Sequence, residues 1–371
     1  MTDEPSIGSA NKAAARRLRF ATLAFPPAGL CLLWLGPAGL GRKLLGTLGI
    51  VLFLVPYCAA ILFLLHVFTG LHFEMQGRPI PVPTWQVTDY ERLEKARAEK
   101  APPAGASSKV TAVKNTVPAY WTDFRGPKRD GHYTEQPINV EWVKSPPKLL
   151  WKQPIGGGYS SFAIADGLAF TIEQRREQEA VTAYEVTTGR EMWAHSYSAH
   201  FNEWMGGEGP RATPTWHEGR IYSLGGTGQF CCLEAATGKL LWQHDLFAEN
   251  GSTNLYFGMG ASPLIVDDKV FVLAGEPQRR DARMLIAYDK ATGSLAWKVL
   301  ESKAAYASPM LVTLAGERQV LVHSSGHLLG LSPTDGKSLW RFPWRVEFDN
   351  TIAQPIVTGT NRLVLSAGYG T

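Results

Sequence analysis

Residues 287–297 read A-Y-D-K-A-T-G-S-L-A-W: the end of an apolar strand, a turn on Gly293, and Trp297 four residues later. The same arrangement recurs at Gly189/Trp193 (TTGREMW), Gly238/Trp242 (ATGKLLW) and Gly336/Trp340 (TDGKSLW), with Trp-to-Trp intervals of 49, 55 and 43 residues. A second marker, a small polar residue before proline, keeps the same order: Thr213-Pro214, Ser262-Pro263, Ser308-Pro309 and Gln354-Pro355. Ser161-Phe162 holds the equivalent place in the first unit. Two markers in one order define a tandem repeat. Between them the texture is β. The third unit reads SPLIVDD, KVFVLAG, RMLIAYDKATG, SLAWKV, four short strands joined by tight turns. Four-stranded units in tandem are propeller blades, each burying its faces on its neighbours. The expected fold of residues 121–371 is therefore all-β: a β-propeller of four-stranded antiparallel blades, four units plus a partial fifth. The glycine takes a turn position with φ > 0, and the outer-strand indole is large enough to staple one blade to the next.

Upstream the composition changes. Residues 44–73 contain no Asp, Glu, Lys or Arg, and residues 44–68 are apolar enough for a transmembrane helix. Pro56 is tolerable inside it. The stretch is too long and starts too late for a cleaved signal peptide. Residues 1–43 form a basic tail and a Pro/Gly-rich apolar segment, with Lys12, Arg16, Arg17, Arg19, Arg42 and Lys43 against Asp3 and Glu4. That tail carries the whole net charge of +4, so the balanced remainder excludes a nucleic-acid footprint. Basic clusters before both apolar stretches favour a cytoplasmic N-terminus and an extracytoplasmic C-terminal region. Residues 20–40 then dip into the bilayer and return, a second full span being the alternative. Residues 69–120 read as a polar linker. Its charged run at 90–100 suits a short helix with a solvated face.

The run at 287–297 resembles the repeat of the pyrroloquinoline quinone (PQQ)-like β-propeller superfamily, which includes quinoprotein alcohol dehydrogenases and the outer-membrane-protein assembly propeller lipoprotein. The lead-in W-T-D-F-R-G-P-K-R-D-G, residues 121–131, resembles that of many bacterial membrane-anchored or secreted members. In that family an N-terminal strand completes the last blade, a part for which Trp151 in K-L-L-W (148–151) is suited. The fifth unit reaches only its inner strands, so a longer protein of about six to eight blades is expected.

The resemblance implies PQQ on the axis with Ca²⁺ or a lanthanide beside it, and a vicinal disulfide against the quinone. Hard ions need carboxylates. The acids near inner-strand ends are Glu173, Glu203, Glu208 and Asp349, and none lies in a ligand run. Glu173-Gln174-Arg175 reads as a hairpin-end salt bridge or solvated turn. The repeat puts Cys231 and Cys232 in an ordinary third strand, where neighbours point to opposite faces; they read as small buried hydrophobes. His323 and His327 flank a hairpin turn and make a poor metal pair. The glycine runs precede strands and suit no phosphate loop. The longest inter-blade loop, 197–212, and the axial mouth are the candidate binding region, with Tyr159, Arg211, Tyr306 and Asn350 as candidate residues. Arg211 is suited to an anion or to rim hydrogen bonding. The expected function is a periplasm-facing, inner-membrane-anchored interaction or assembly scaffold, with the bilayer and an envelope protein as partners and without a cofactor. The alternatives are a PQQ- and Ca²⁺-dependent dehydrogenase of alcohols or sugars, and carbohydrate or polymer binding.

Overall fold

The computed structural model describes residues 26–37, 39–69, 72–74, 82–84, 90–100 and 120–368. The basic cluster at 12–19 and the Pro/Ala/Ser stretch at 101–108 lie outside them. The chain divides into two units, Met1–Val87 and Thr88–Thr371.

In the first unit, α1 (Pro26–Leu35) and α2 (Leu40–Thr69) pack as a helical hairpin. Leu33 rests on Gly46, where a Cβ would stand 2.7 Å from the leucine side chain. Trp34 Nε1 donates to Thr47 Oγ1 (3.0 Å) and Lys43 Nζ to Trp34 O (2.9 Å). Residues Leu40–Leu65 of α2 are long and apolar enough to cross a membrane. The ten residues of α1 rise only about 15 Å, half a hydrocarbon core. A short hairpin, β1 (His72–Glu74) with β2 (Val82–Thr84), follows.

The second unit opens with α3 (Tyr90–Lys100). The sequence reads the charged run as a solvated face; in the structure the helix is docked. Leu93 is buried, Arg97 reaches Glu173 (2.6 Å), and Glu94 pairs with Arg176 (2.7 Å). One large aliphatic residue suffices because the ion pairs lie on the first sheet. There Glu173, itself buried, also takes Arg175 (2.6 Å) and Gly156 N (2.7 Å).

Sheet I comprises β3 (Ala163–Ala165), β4 (Leu168–Arg175), β5 (Gln178–Glu185) and β6 (Glu191–Ser198). The long loop after it holds a small hairpin, β7 (Asn202–Glu203) with β8 (Gly207–Glu208). Sheet II is β9 (Thr215–His217), β10 (Arg220–Leu224), β11 (Gln229–Glu234) and β12 (Leu240–Asp245), followed by the one-turn α4 (Leu246–Asn250) and β13 (Ser252–Thr253). Sheet III is β14 (Leu264–Val266), β15 (Lys269–Leu273), then β16 (Glu276–Pro277), which pairs with β13, and β17 (Leu285–Asp289) and β18 (Leu295–Val299). Sheet IV is β19 (Met310–Leu314), β20 (Glu317–Ser324), β21 (His327–Leu331) and β22 (Ser338–Pro343). A fifth hairpin pairs β23 (Ile356–Thr358) with β24 (Arg362–Val364). All four large sheets are antiparallel meanders.

The strand period of two sends alternate residues to opposite faces, and the core clusters follow it. Cys231 joins the cluster between sheets I and II; Cys232 joins the one that runs from sheet II through III to IV. Both are free thiols that burial pushes up to about 12. The periodic tryptophans do staple, and always forward. Trp193 covers Gly238, Trp242 covers Gly293 and Trp297 covers Gly336; these glycines have φ of 72°, 76° and 72°. Trp193 and Trp297 also donate their indole N–H to carbonyls of the next turn, Ala235 and Thr334 (both 3.0 Å). At Trp242 the neighbouring His244 Nε2 makes that link, to Gly293 O (2.8 Å). Trp151 takes the same position on Gly189 and donates to Val186 O (2.7 Å), although residues 148–151 form no strand.

Candidate functional site

The residue before each proline is more than a marker. Ser161 N donates to Thr213 Oγ1 (3.1 Å), Thr213 N to Ser262 Oγ (2.9 Å) and Ser262 N to Ser308 Oγ (2.9 Å). Gln354 Nε2 donates to Ser308 O (3.1 Å). A continuous hydrogen-bond chain thus links the innermost strands from sheet to sheet.

The lead-in segment lies across those same strands. Trp121 exchanges two backbone hydrogen bonds with Ile164 (2.8 Å each), and Trp216 N donates to Thr122 O (2.8 Å). Arg129, 2% exposed, donates to Asp123 Oδ1 (2.7 Å), Ser262 O (3.2 Å), Pro309 O (2.6 Å) and Pro263 O. The Thr215 hydroxyl stands 3.0 Å from Asp123 Oδ1 and 2.7 Å from Pro263 O. One guanidinium therefore ties the lead-in to sheets III and IV, while its carboxylate partner ties it to sheet II. Sequence reasoning missed this pair. Its signal was an Asp and an Arg six apart within a Gly/Pro-rich motif, but the carbonyl acceptors lie 133 to 180 residues downstream.

The four candidate residues fall at starts of units. Tyr159, Arg211 and Tyr306 each stand two positions before the small polar marker; the third unit has Gly260 there, and the fifth has Ile352. Asn350 is therefore out of register with the others. It sits half-buried after a turn of 3₁₀ helix, Glu347–Asp349, and its backbone N–H reaches Glu347 O (3.4 Å).

Arg211 is sandwiched between two rings, 5.0 Å from the centre of Tyr159 and 4.9 Å from Phe201. Its donors turn back into its own loop: Glu208 O (3.1 Å), Gly207 O (2.8 Å), Gly209 O and, at 3.5 Å, Glu203 Oε1. Glu203 in turn accepts from Met205 N and Gly206 N. Burial lowers the Arg211 pKa, and these partners favour its charged form. The geometry includes the rim hydrogen-bonding arrangement, with the cation tied to its own loop. Around it runs a series of rings. Trp204 Nε1 donates to Tyr256 OH (2.7 Å), Tyr256 meets Phe257 edge-on at 4.8 Å, and Phe257 lies 5.8 Å from Tyr306. Tyr306 OH accepts from Phe257 N (3.2 Å), and burial raises its pKa. Gly260 is wedged between Arg211 and Tyr306, so the two candidates share one wall. Tyr159 (65%), Trp204 (67%) and Tyr256 (58%) remain open to solvent. Beneath them, fully buried Glu179 accepts from Tyr197 OH (2.8 Å) and Gly226 N (2.9 Å), and burial raises its pKa.

The fit to a quinone and its ion can be tested on these donors. Cys231 and Cys232 diverge into separate cores, and the Asp123 carboxylate is engaged by Arg129. Among the described residues, no three His, Cys, Asp or Glu side chains gather to hold an ion. His323 and His327 are diagonal across a hairpin, one buried and one half-exposed. The described residues do not present the set that the resemblance implies.

Residues 177–370 match the family model described as outer membrane protein assembly factor BamB. The chain belongs to this family of PQQ-like propellers. It is also 26% identical over 194 residues to the quinoprotein alcohol dehydrogenase PedH of Pseudomonas putida, a match covering 48% of this chain and 30% of that protein. The chain thus spans less than a third of the length of that curated relative. Among solved structures, it is similar to a quinohemoprotein alcohol dehydrogenase from Comamonas testosteroni (13% identity, TM-score 0.38, 62% of this chain and 50% of that one). It is likewise similar to BamB from Moraxella catarrhalis (19% identity, TM-score 0.34, 52% and 50%).

Proposed function

We propose that this chain is a membrane-anchored, extracytoplasmic propeller that serves as a protein-interaction scaffold in the cell envelope. The observation that carries the reading is the exposed cluster of rings around Arg211, read as the mouth. Tyr159, Trp204 and Tyr256 are exposed, yet each is fixed, by Arg211 or by the Trp204–Tyr256 hydrogen bond. Rigid aromatics beside an arginine are the composition of interface hot spots. The membership of residues 177–370 in a family described by an assembly factor supports the same reading. Helix α2 supports the anchor, and the basic residues Arg42 and Lys43 near its N-terminal end support a cytoplasmic N-terminus.

The test is affinity capture with the full chain from solubilised envelopes, comparing the parent with the triple variant Y159A/W204A/Y256A. The expected result is one envelope protein held by the parent and lost by the variant at an unchanged unfolding temperature. Identical capture by both, or none by either, would refute the role of the mouth. Membrane-impermeant maleimide should label K239C from the periplasmic side of intact cells, and labelling only after lysis would refute the orientation. The match to PedH favours a quinoprotein as second reading. It predicts dye-linked alcohol oxidation after addition of PQQ and Ca²⁺.

A further inference from the structure

A cavity of about 410 Å³ adjoins the lead-in segment, sheet IV and the fifth hairpin. One wall is Arg125, Lys128, Arg129, Asp130 and His132; the other is residues 310–313 of sheet IV and 355–357 of the fifth hairpin. The two walls differ in chemistry. The first is cationic. Its one acid, Asp130, is turned onto His132, whose N–H it accepts at 2.9 Å and whose Nδ1 lies 3.5 Å away. The second wall is aliphatic, with Met310, Leu311, Val312, Ile356 and Val357. It is built on β19 and β23, the first strands of their sheets, each paired along one edge only.

Arg129 shows what is missing. A guanidinium carries five N–H donors. Its two Nη groups are engaged by Asp123 and by the carbonyls of Ser262, Pro263 and Pro309. Its Nε–H, equally buried, has no partner among the described residues. A buried donor left unpaired is costly, and such groups are seldom left so. The residue lines the cavity, with Arg125 and Lys128 beside it. Arg125 directs one Nη to Asp130 O (3.2 Å).

We propose that this cavity binds a carboxylate carried on an apolar body, either a free organic acid or the C-terminal carboxylate of an extended peptide. The acid group takes the unpaired Arg129 Nε–H and the charges of Arg125 and Lys128. The body lies on the aliphatic wall, where the open edges of β19 and β23 offer backbone hydrogen bonds to a peptide. The volume is in the usual range of small-ligand sites. This site is separate from the aromatic mouth and stands whether or not the mouth binds a partner.

The test is isothermal titration of the full chain in detergent with isovalerate against isovaleramide, and with acetyl-Val-Ile-Val bearing a free or an amidated C-terminus. Saturable binding of an acid, at least tenfold tighter than its amide, is the expected result. Binding of isovalerate identifies a free acid as sufficient; binding of the peptide acid alone identifies the peptide terminus. R125Q/K128Q should weaken binding tenfold or more at an unchanged unfolding temperature. If that variant fails to fold, the acid-to-amide ratio on the parent chain decides. Equal binding of acid and amide overturns the proposal. So does absence of binding by both acids, which would leave a water as the partner of Nε.

Discussion

Replacing Arg129 with methionine should be among the most damaging single changes in the second unit. The side chain is 2% exposed, and its charge faces Asp123 at 2.7 Å. Methionine fills much of the same volume but leaves the Asp123 carboxylate buried with only Phe124 N and the Thr215 hydroxyl as donors. It also strips a donor from the carbonyls of Ser262, Pro263 and Pro309. Removing one partner of a buried pair costs about 3–5 kcal/mol. For a domain of this size each kcal/mol moves the midpoint by about 2–4 °C, so R129M should unfold roughly 6–20 °C below the parent by far-ultraviolet circular dichroism. D123N/R129M, which leaves no stranded charge, should recover part of that loss in a double-mutant cycle. Lysine should not rescue, because a single ammonium cannot span acceptors contributed by the lead-in and two sheets. An R129M midpoint within 2 °C of the parent, or strict additivity in the double variant, would refute the account of the lead-in as a cross-brace.

Three further outcomes follow from single groups. His323 is buried at the position that Ile172, Leu224 and Leu273 occupy in the other sheets, its ring nitrogens are unpaired, and burial holds its pKa near 4. H323L should gain about 1–3 kcal/mol at pH 7. Because the native pKa is depressed, the parent's stability is full above the ordinary histidine value and falls as pH drops from there through 4, so the advantage of H323L should widen on acidification. Parallel midpoints from pH 7 to pH 4 would count against this. Glu179 has the opposite sign: its raised native pKa makes the parent lose stability as pH rises from the ordinary carboxylate value through the raised one. E179Q should flatten that slope between pH 4 and pH 8, and an unaltered profile would discount the carboxyl. G238A adds a Cβ 2.5 Å from the Trp193 ring at a φ of +72° and should cost about 2–4 kcal/mol. G316A, at +82° with open space, should cost only the backbone part, about 1–2 kcal/mol; equal losses would deny the staple.

The periodic part of this fold was readable because it is enforced by local chemistry. A turn at φ > 0 demands glycine, an outer strand facing a neighbour rewards a large indole, and both recur in register. The same arithmetic separated Cys231 from Cys232. What escaped was carried by contacts with no period. The helix at 90–100 looks like a solvated run because Leu93 is its one large aliphatic residue, and its attachment depends on Glu173 and Arg176, some eighty residues away. The Asp123–Arg129 brace is local as a pair and remote in every other partner. Asn350 lies near a strand start, whereas the repeat places Ile352 in line with Tyr159, Arg211 and Tyr306.

The forward direction of the indole contacts has a consequence for synthesis. Trp193 is sheltered only when the bend at Gly238 has been made, and Trp242 only when Gly293 has followed. At about 5–20 residues per second, each newly emerged sheet would wait roughly 2–10 s for its cover. During that interval a broad apolar ring stays available to chaperones, and it is hidden from them one sheet at a time as translation proceeds.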